Sequence, residues 1–185
     1  MKRVVLIILL FVPIASAFGQ NSPRSKGIQS LGIESQIYPA GTMFNLRASW
    51  LLGEKSSLIG KLGYNTARRQ DFGEHDKEDG GGLGLALGYR RYLDNKRSGL
   101  FMEGRASAWF LDIDWQDNAP LRTGNSDITV FQPTIGIGYD ILLNDGKIKL
   151  GLLVAFGYEV NMITSGEAVG QGGISLIGLS VDFRL

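Results

Sequence analysis

The chain has no cysteine and a single histidine among its 185 residues. Without thiols there is no disulfide framework, no acylated cysteine and no zinc-ligand spacing. Charge of one sign is also missing. Setting aside Lys2 and Arg3, 17 basic residues face 18 acidic ones, which leaves no basic footprint for nucleic acid. After Ile14 there is no long apolar run, which excludes a helical membrane protein. Neither a Walker loop nor a nucleophile elbow is found, and Gly80-Gly81-Gly82-Leu83-Gly84 opens a strand pattern rather than a helix. No cofactor is expected.

What is present begins with a leader. Met1-Lys2-Arg3 is positive, residues 4–14 are apolar apart from Pro13, and Ala15-Ser16-Ala17 offers a small-residue cleavage site. Residues 1–17 therefore read as a secretory signal peptide, since the apolar run falls short of the ~20 residues of a spanning helix. Cleavage after Ala17 leaves 168 residues, enough for one domain. Residues 18–26 are a flexible lead-in, and 27–185 form the domain. Glycine, at 26 residues, is about twice its usual share and is spread through alternating segments, as strong strand curvature requires.

The alternation is clearest at the C-terminus. Leu179, Val181, Phe183 and Leu185 fall on one face, and Gly178, Ser180, Asp182 and Arg184 on the other. Seven earlier segments repeat it, among them Phe44-Leu46-Ala48-Trp50, Leu83-Leu85-Leu87-Tyr89 and Leu100 through Phe110. A mean hydropathy of +0.03 fits apolar content hidden in alternation. Asn144-Asp145-Gly146-Lys147 is the strongest hairpin signal. Long polar stretches at 68–81, 112–127 and 161–171 are expected to be loops at one end, with tight turns at the other. Tyr38, Trp50, Tyr64, Tyr89, Tyr92, Tyr139 and Tyr158 lie near strand ends, where interfacial girdles form. The fold class expected is all-β: an eight-stranded antiparallel up-and-down transmembrane β-barrel after a cleaved signal peptide, with apolar side chains toward lipid.

That parity turns a charged face inward: Glu34, Arg47, Lys61, Arg90, Glu103, Arg105, Asp140, Lys149, Glu159, Asp182 and Arg184. A hairpin centred on Ala40-Gly41 pairs Tyr38 with Met43 and Glu34 with Arg47. A two-residue turn at Asn95-Lys96 puts Arg90 opposite Phe101, diagonal to Glu103. Eight strands enclose only enough room for side chains, so a plugged, salt-bridged interior is expected rather than an open pore. Arg91 points outward, beside a turn where it can snorkel.

Signal segment, strand rhythm, loop asymmetry and terminal strand together resemble the small eight-stranded outer-membrane barrels of the OmpX type and the transmembrane domain of OmpA. The resemblance covers the whole mature chain. It implies residence in the outer membrane of a diderm bacterium, contact with outer-membrane lipid and lipopolysaccharide, a monomer, and insertion by the barrel-assembly machinery. The assembly signal corresponds to Leu179, Val181 and Phe183, with Leu185 standing where the family ends on an aromatic residue.

Chemistry is thinly represented. His75, with Asp76 and Ser107 or Ser165, is the candidate set for a lipid-modifying enzyme, but its acidic surroundings read as a solvated loop without fixed geometry. Asp112, Asp114 and Asp117 match no calcium-loop spacing. Trp115, Pro120 and Leu121 are expected to close a loop over the barrel mouth. The function expected is non-enzymatic: envelope integrity or surface contact through 68–81 and 112–127. A lipid-modifying enzyme, a narrow pore and a secreted lipocalin-like barrel are the alternatives.

Overall fold

The computed structural model describes residues 28–70, 73–94 and 97–185. The signal segment, the whole lead-in with Gly27, Asp71 and Phe72, and Asn95 and Lys96 lie outside the described residues. Eight strands follow in order: β1 Ser30–Tyr38, β2 Gly41–Leu51, β3 Ser56–Gln70, β4 Lys77–Tyr92, β5 Gly99–Asn118, β6 Leu121–Leu143, β7 Ile148–Ser165 and β8 Gly172–Arg184. Each pairs antiparallel with the next, and β8 closes on β1. Leu179, Val181 and Phe183 meet Ser35, Ile33 and Leu31 along that seam, so neither terminal strand leaves a free edge over its paired length.

The register sets the geometry. A row of paired residues runs from Asp112 on β5 through Gly81, Thr66, Thr42, Ile37, Ile177, Val154 and Ile137, and returns to β5 at Met102. An offset of ten residues over eight strands requires a strand tilt of roughly 40°. The outward apolar run of β5, Leu100 to Phe110, then stands roughly 25 Å tall, the height of a hydrocarbon belt. Leu46 and Leu62 are 64% and 59% exposed, whereas their chain neighbours Arg47 and Lys61 are buried. Facing lipid near the midplane, either cation would cost ~2–4 kcal/mol.

Glycines make room for the inner aromatics. Trp109 lies across Gly84, Phe101 across Gly138, and Trp115 across Gly124, each on a neighbouring strand. A Cβ at any of the three glycines would overlap the ring it faces.

The structure corrects several expectations. The β1–β2 turn is Pro39-Ala40, so Tyr38 pairs with Gly41 and Glu34 with Asn45. Proline supplies the fixed φ wanted at the first central turn position, which shifts the register by two. Arg90 stands directly opposite Glu103, and Tyr92 opposite Phe101, because the β4–β5 connection is longer than two residues. Tyr38 and Tyr92 are buried inside rather than placed in a girdle. Most of the expected loops are strand. β3 and β4 leave only 71–76 between them, β7 runs to Ser165, and 112–127 is a continuous hairpin turning at Ala119-Pro120.

Candidate functional site: the barrel interior and its outer cap

Nine of the expected interior charges form one assembly. Lys149 lies 3.6 Å from Asp182, Asp182 3.1 Å from Arg47, Arg47 2.9 Å from Glu34, and Glu34 2.7 Å from Lys61. Lys61 then lies 3.5 Å from Glu103, Glu103 2.6 Å from Arg90, Arg90 2.7 Å from Asp140, and Asp140 3.5 Å from Lys149. Cations and anions alternate around a closed circuit. Arg105 bridges its middle, 2.6 Å from Glu103 and 3.6 Å from Glu34. Alternation of sign is what makes the burial tolerable, since each ion removed from water costs several kcal/mol unless paired and hydrogen-bonded. Although Glu34 and Arg47 are a diagonal step apart in the register, the long guanidinium arm spans it.

Below Arg90 the circuit rests on aromatic rings. Its guanidinium carbon sits 3.6 Å from the centre of the Phe101 ring, and Tyr92 packs edge-on against Phe101 while its hydroxyl donates to Asp140 at 2.6 Å. Arg184 is corrected: it is exposed at the strand end, where its guanidinium donates to the Gly146 carbonyl at 3.3 Å.

Above the circuit the interior is apolar. Met43, Trp109, Leu111, Ile113, Ile128, Val130 and Leu176 pack there with Val169. A buried polar chain crosses this layer. Trp109 Nε1 donates to Gln132 Oε1 at 3.1 Å, Gln132 Nε2 donates to Glu159 Oε1 at 3.1 Å, and Arg69 donates to Glu159 at 2.9 Å and to Glu78 at 3.0 Å. Glu159 thus belongs to this second group, not to the circuit. The other carboxylate oxygen of Glu78 accepts the backbone N–H groups of Glu74, His75 and Gly170, at 2.9, 3.3 and 3.0 Å. One buried carboxylate therefore ties the 73–76 and 166–171 segments to the barrel wall.

His75 is corrected as well. It is 8% exposed rather than solvated. Its ring stacks on Trp115 with centroids 4.1 Å apart, Nε2 donates to the Ala168 carbonyl at 3.0 Å, and Nδ1 lies 3.0 Å from Asp117 Oδ1. The partners are Asp117 and a carbonyl, not Asp76, Ser107 or Ser165. Both ring nitrogens face these groups rather than a hydroxyl, so the expected nucleophile–base pair is not assembled. Trp115 closes the mouth, while Pro120 and Leu121 stand exposed at the hairpin tip. Arg69, Glu78 and Gln132 were not among the expected residues. The signal for the first two was parity: continued past Tyr64 and Leu83, the alternation puts both on the inner face.

No family model matches the chain, and no curated protein matches it. Solved structures do. Ail, the attachment invasion locus protein of Yersinia pestis, superposes with a TM-score of 0.51 at 11% identity, covering 85% of this chain and 97% of Ail. Neisserial surface protein A gives 0.50 at 9% identity, covering 89% of this chain and 100% of that one. The N-terminal barrel domain of Pseudomonas aeruginosa OprF gives 0.48 at 15% identity over 86% and 100%. At such identities the likeness shows the fold. The chain is a small eight-stranded β-barrel of the outer-membrane type.

Proposed function

We propose that this protein, exported by its signal segment and inserted by the barrel-assembly machinery, spans the outer membrane as a sealed monomer. It conducts nothing and catalyses nothing. Its work is done outside, where the β5–β6 hairpin and the two tied connections present a rigid surface that supports the envelope or makes contact with other surfaces. One observation carries this reading: the bore is filled in succession by the ion circuit, the Trp109 layer and the His75–Trp115 cap. A filled bore gives neither a pore nor an internal substrate site, whereas the hairpin tip at Leu121 is 74% exposed.

The absence of native cysteine makes the test clean. Leu121→Cys is expected to react on intact cells with a membrane-impermeant maleimide, and Lys147→Cys only after the outer membrane is breached. Purified barrel in planar bilayers is expected to show no steady conductance. Labelling of Lys147→Cys on intact cells, or a persistent single-channel current, would refute the proposal.

A further inference from the structure

The barrel wall is not of even height. β1 stops at Tyr38 and β2 starts at Gly41; their outer pairings end at Ile37 with Ile177 and at Gly41 with Ala67. β8 continues outward to Gly172 and β3 to Gln70. Between those two extensions the wall lacks two strands, a gap of ~14 Å between strand axes. Behind the gap lies a cavity of about 260 Å³. Its apolar lip is Pro39, Ala40 and Ile174, and its polar lining includes Arg69, Glu159 and Gln171.

The register also fixes how deep this window sits. Each step along a paired row from β5 toward β1 descends ~3 Å at this tilt, so Ile37, four steps from Asp112, lies ~12 Å lower. Asp112 itself stands ~5 Å above Phe110, where the apolar belt ends. The Pro39-Ala40 sill therefore falls a few ångströms inside the hydrocarbon, and Arg69 above it falls outside. Resting on the membrane-spanning reading above, the window straddles the boundary between acyl chains and headgroups in the outer leaflet.

The polar lining limits what can enter. Arg69 is held by Glu78 at 3.0 Å and Glu159 at 2.9 Å, so this group sums to one negative charge. A phosphate or carboxylate head would have to displace a carboxylate from Arg69 and would meet repulsion. An uncharged head bearing hydroxyl or amide groups can hydrogen-bond to the lining without breaking an ion pair. We propose that this window is a lateral binding site for a single-chain amphiphile with an uncharged polar head, its tail lying over Ala40 and Ile174 in the outer leaflet and its head directed at Arg69, Glu159 and Gln171.

The test uses the barrel purified in detergent, with native mass spectrometry as readout and heat-modifiable gel migration as the check on folding. With monoolein the native protein is expected to retain one equivalent, and with oleate none. Ala40→Trp, which places an indole on the sill at a turn position, is expected to weaken monoolein retention at least tenfold while migrating as a folded barrel. Glu159→Gln, which removes the excess negative charge, is expected to admit oleate at least tenfold more readily than the native chain does. Retention by Ala40→Trp equal to native, preference of the native barrel for oleate, or a folded barrel that retains no monoolein overturns the site. A chain that gives no heat-modifiable barrel refutes the membrane-spanning reading instead, so the two failures are distinguishable.

Discussion

Glu78→Gln is the sharpest perturbation of the outer cap, because it keeps the side-chain volume and removes only charge and one acceptor face. Glu78 is fully buried, pairs with Arg69 at 3.0 Å, and accepts three backbone N–H groups from two different connections. Hydrogen bonds to a charged acceptor are worth ~1.5–3 kcal/mol each, and breaking one side of a buried ion pair costs ~3–5 kcal/mol. These terms describe the same contacts and do not add, so the expected loss is ~3–5 kcal/mol, borne locally. At about 1.4 kcal/mol per factor of ten, a loss of ~3–5 kcal/mol should quicken exchange of the amides of 73–76 and 166–171 by roughly 10²-fold to 4 × 10³-fold. Hydrogen exchange read by mass spectrometry resolves those peptides from β1 and β2, whose protection should not change. Unchanged exchange in both connections, or equal loosening of the membrane-embedded strands, refutes the role assigned to Glu78.

Two further outcomes follow from the interior. Gly84→Ala places a methyl against the Trp109 ring and should destabilise the barrel by ~1–3 kcal/mol in urea unfolding from lipid vesicles. Adding Trp109→Leu should recover part of that loss, and strict additivity of the two changes would speak against the packing. Glu103→Gln leaves five cations facing three anions in and around the circuit, which should cost ~3–5 kcal/mol in the same assay and open a small anion-selective current in planar bilayers. A variant as stable and as silent as the native barrel would remove the circuit from the account.

Most of the barrel was legible because lipid enforces a simple rule. Leu62 and Lys61 are chain neighbours on opposite faces, and only one parity keeps the ammonium out of hydrocarbon. That rule found the strands and the charged residues of the circuit, whose membership depends on parity alone. It did not find the partners, because partners depend on register. The two-residue shift at Pro39-Ala40 moved Glu34 from Arg47 to Asn45, and the longer β4–β5 connection brought Arg90 opposite Glu103. Side-chain reach absorbed the first error, since Arg47 still touches Glu34. Arg184 was misplaced because alternation continues to the end of β8, whereas the enclosing wall does not.

The failure at 112–127 has a single physical cause. Along β5 the outward residues run Leu100, Met102, Gly104, Ala106, Ala108, Phe110 and then Asp112, Asp114, Gln116. The inward residues run Glu103, Arg105, Ser107 and then Trp109, Leu111, Ile113, Trp115. Neither the backbone direction nor the side-chain parity changes at Phe110. What changes is the solvent: hydrocarbon gives way to water, so the outer face turns polar, and the inner face, now the core of a water-exposed cap, turns apolar. A reading that equates the apolar face with the outside sees the pattern break there and ends the strand. A reading that lets the two faces exchange polarity at the membrane boundary carries β5 on to Asn118. It also carries β3 and β4 far enough to bring Arg69 and Glu78 together beneath the cap, and leaves the short β1–β2 hairpin as the low place in the wall.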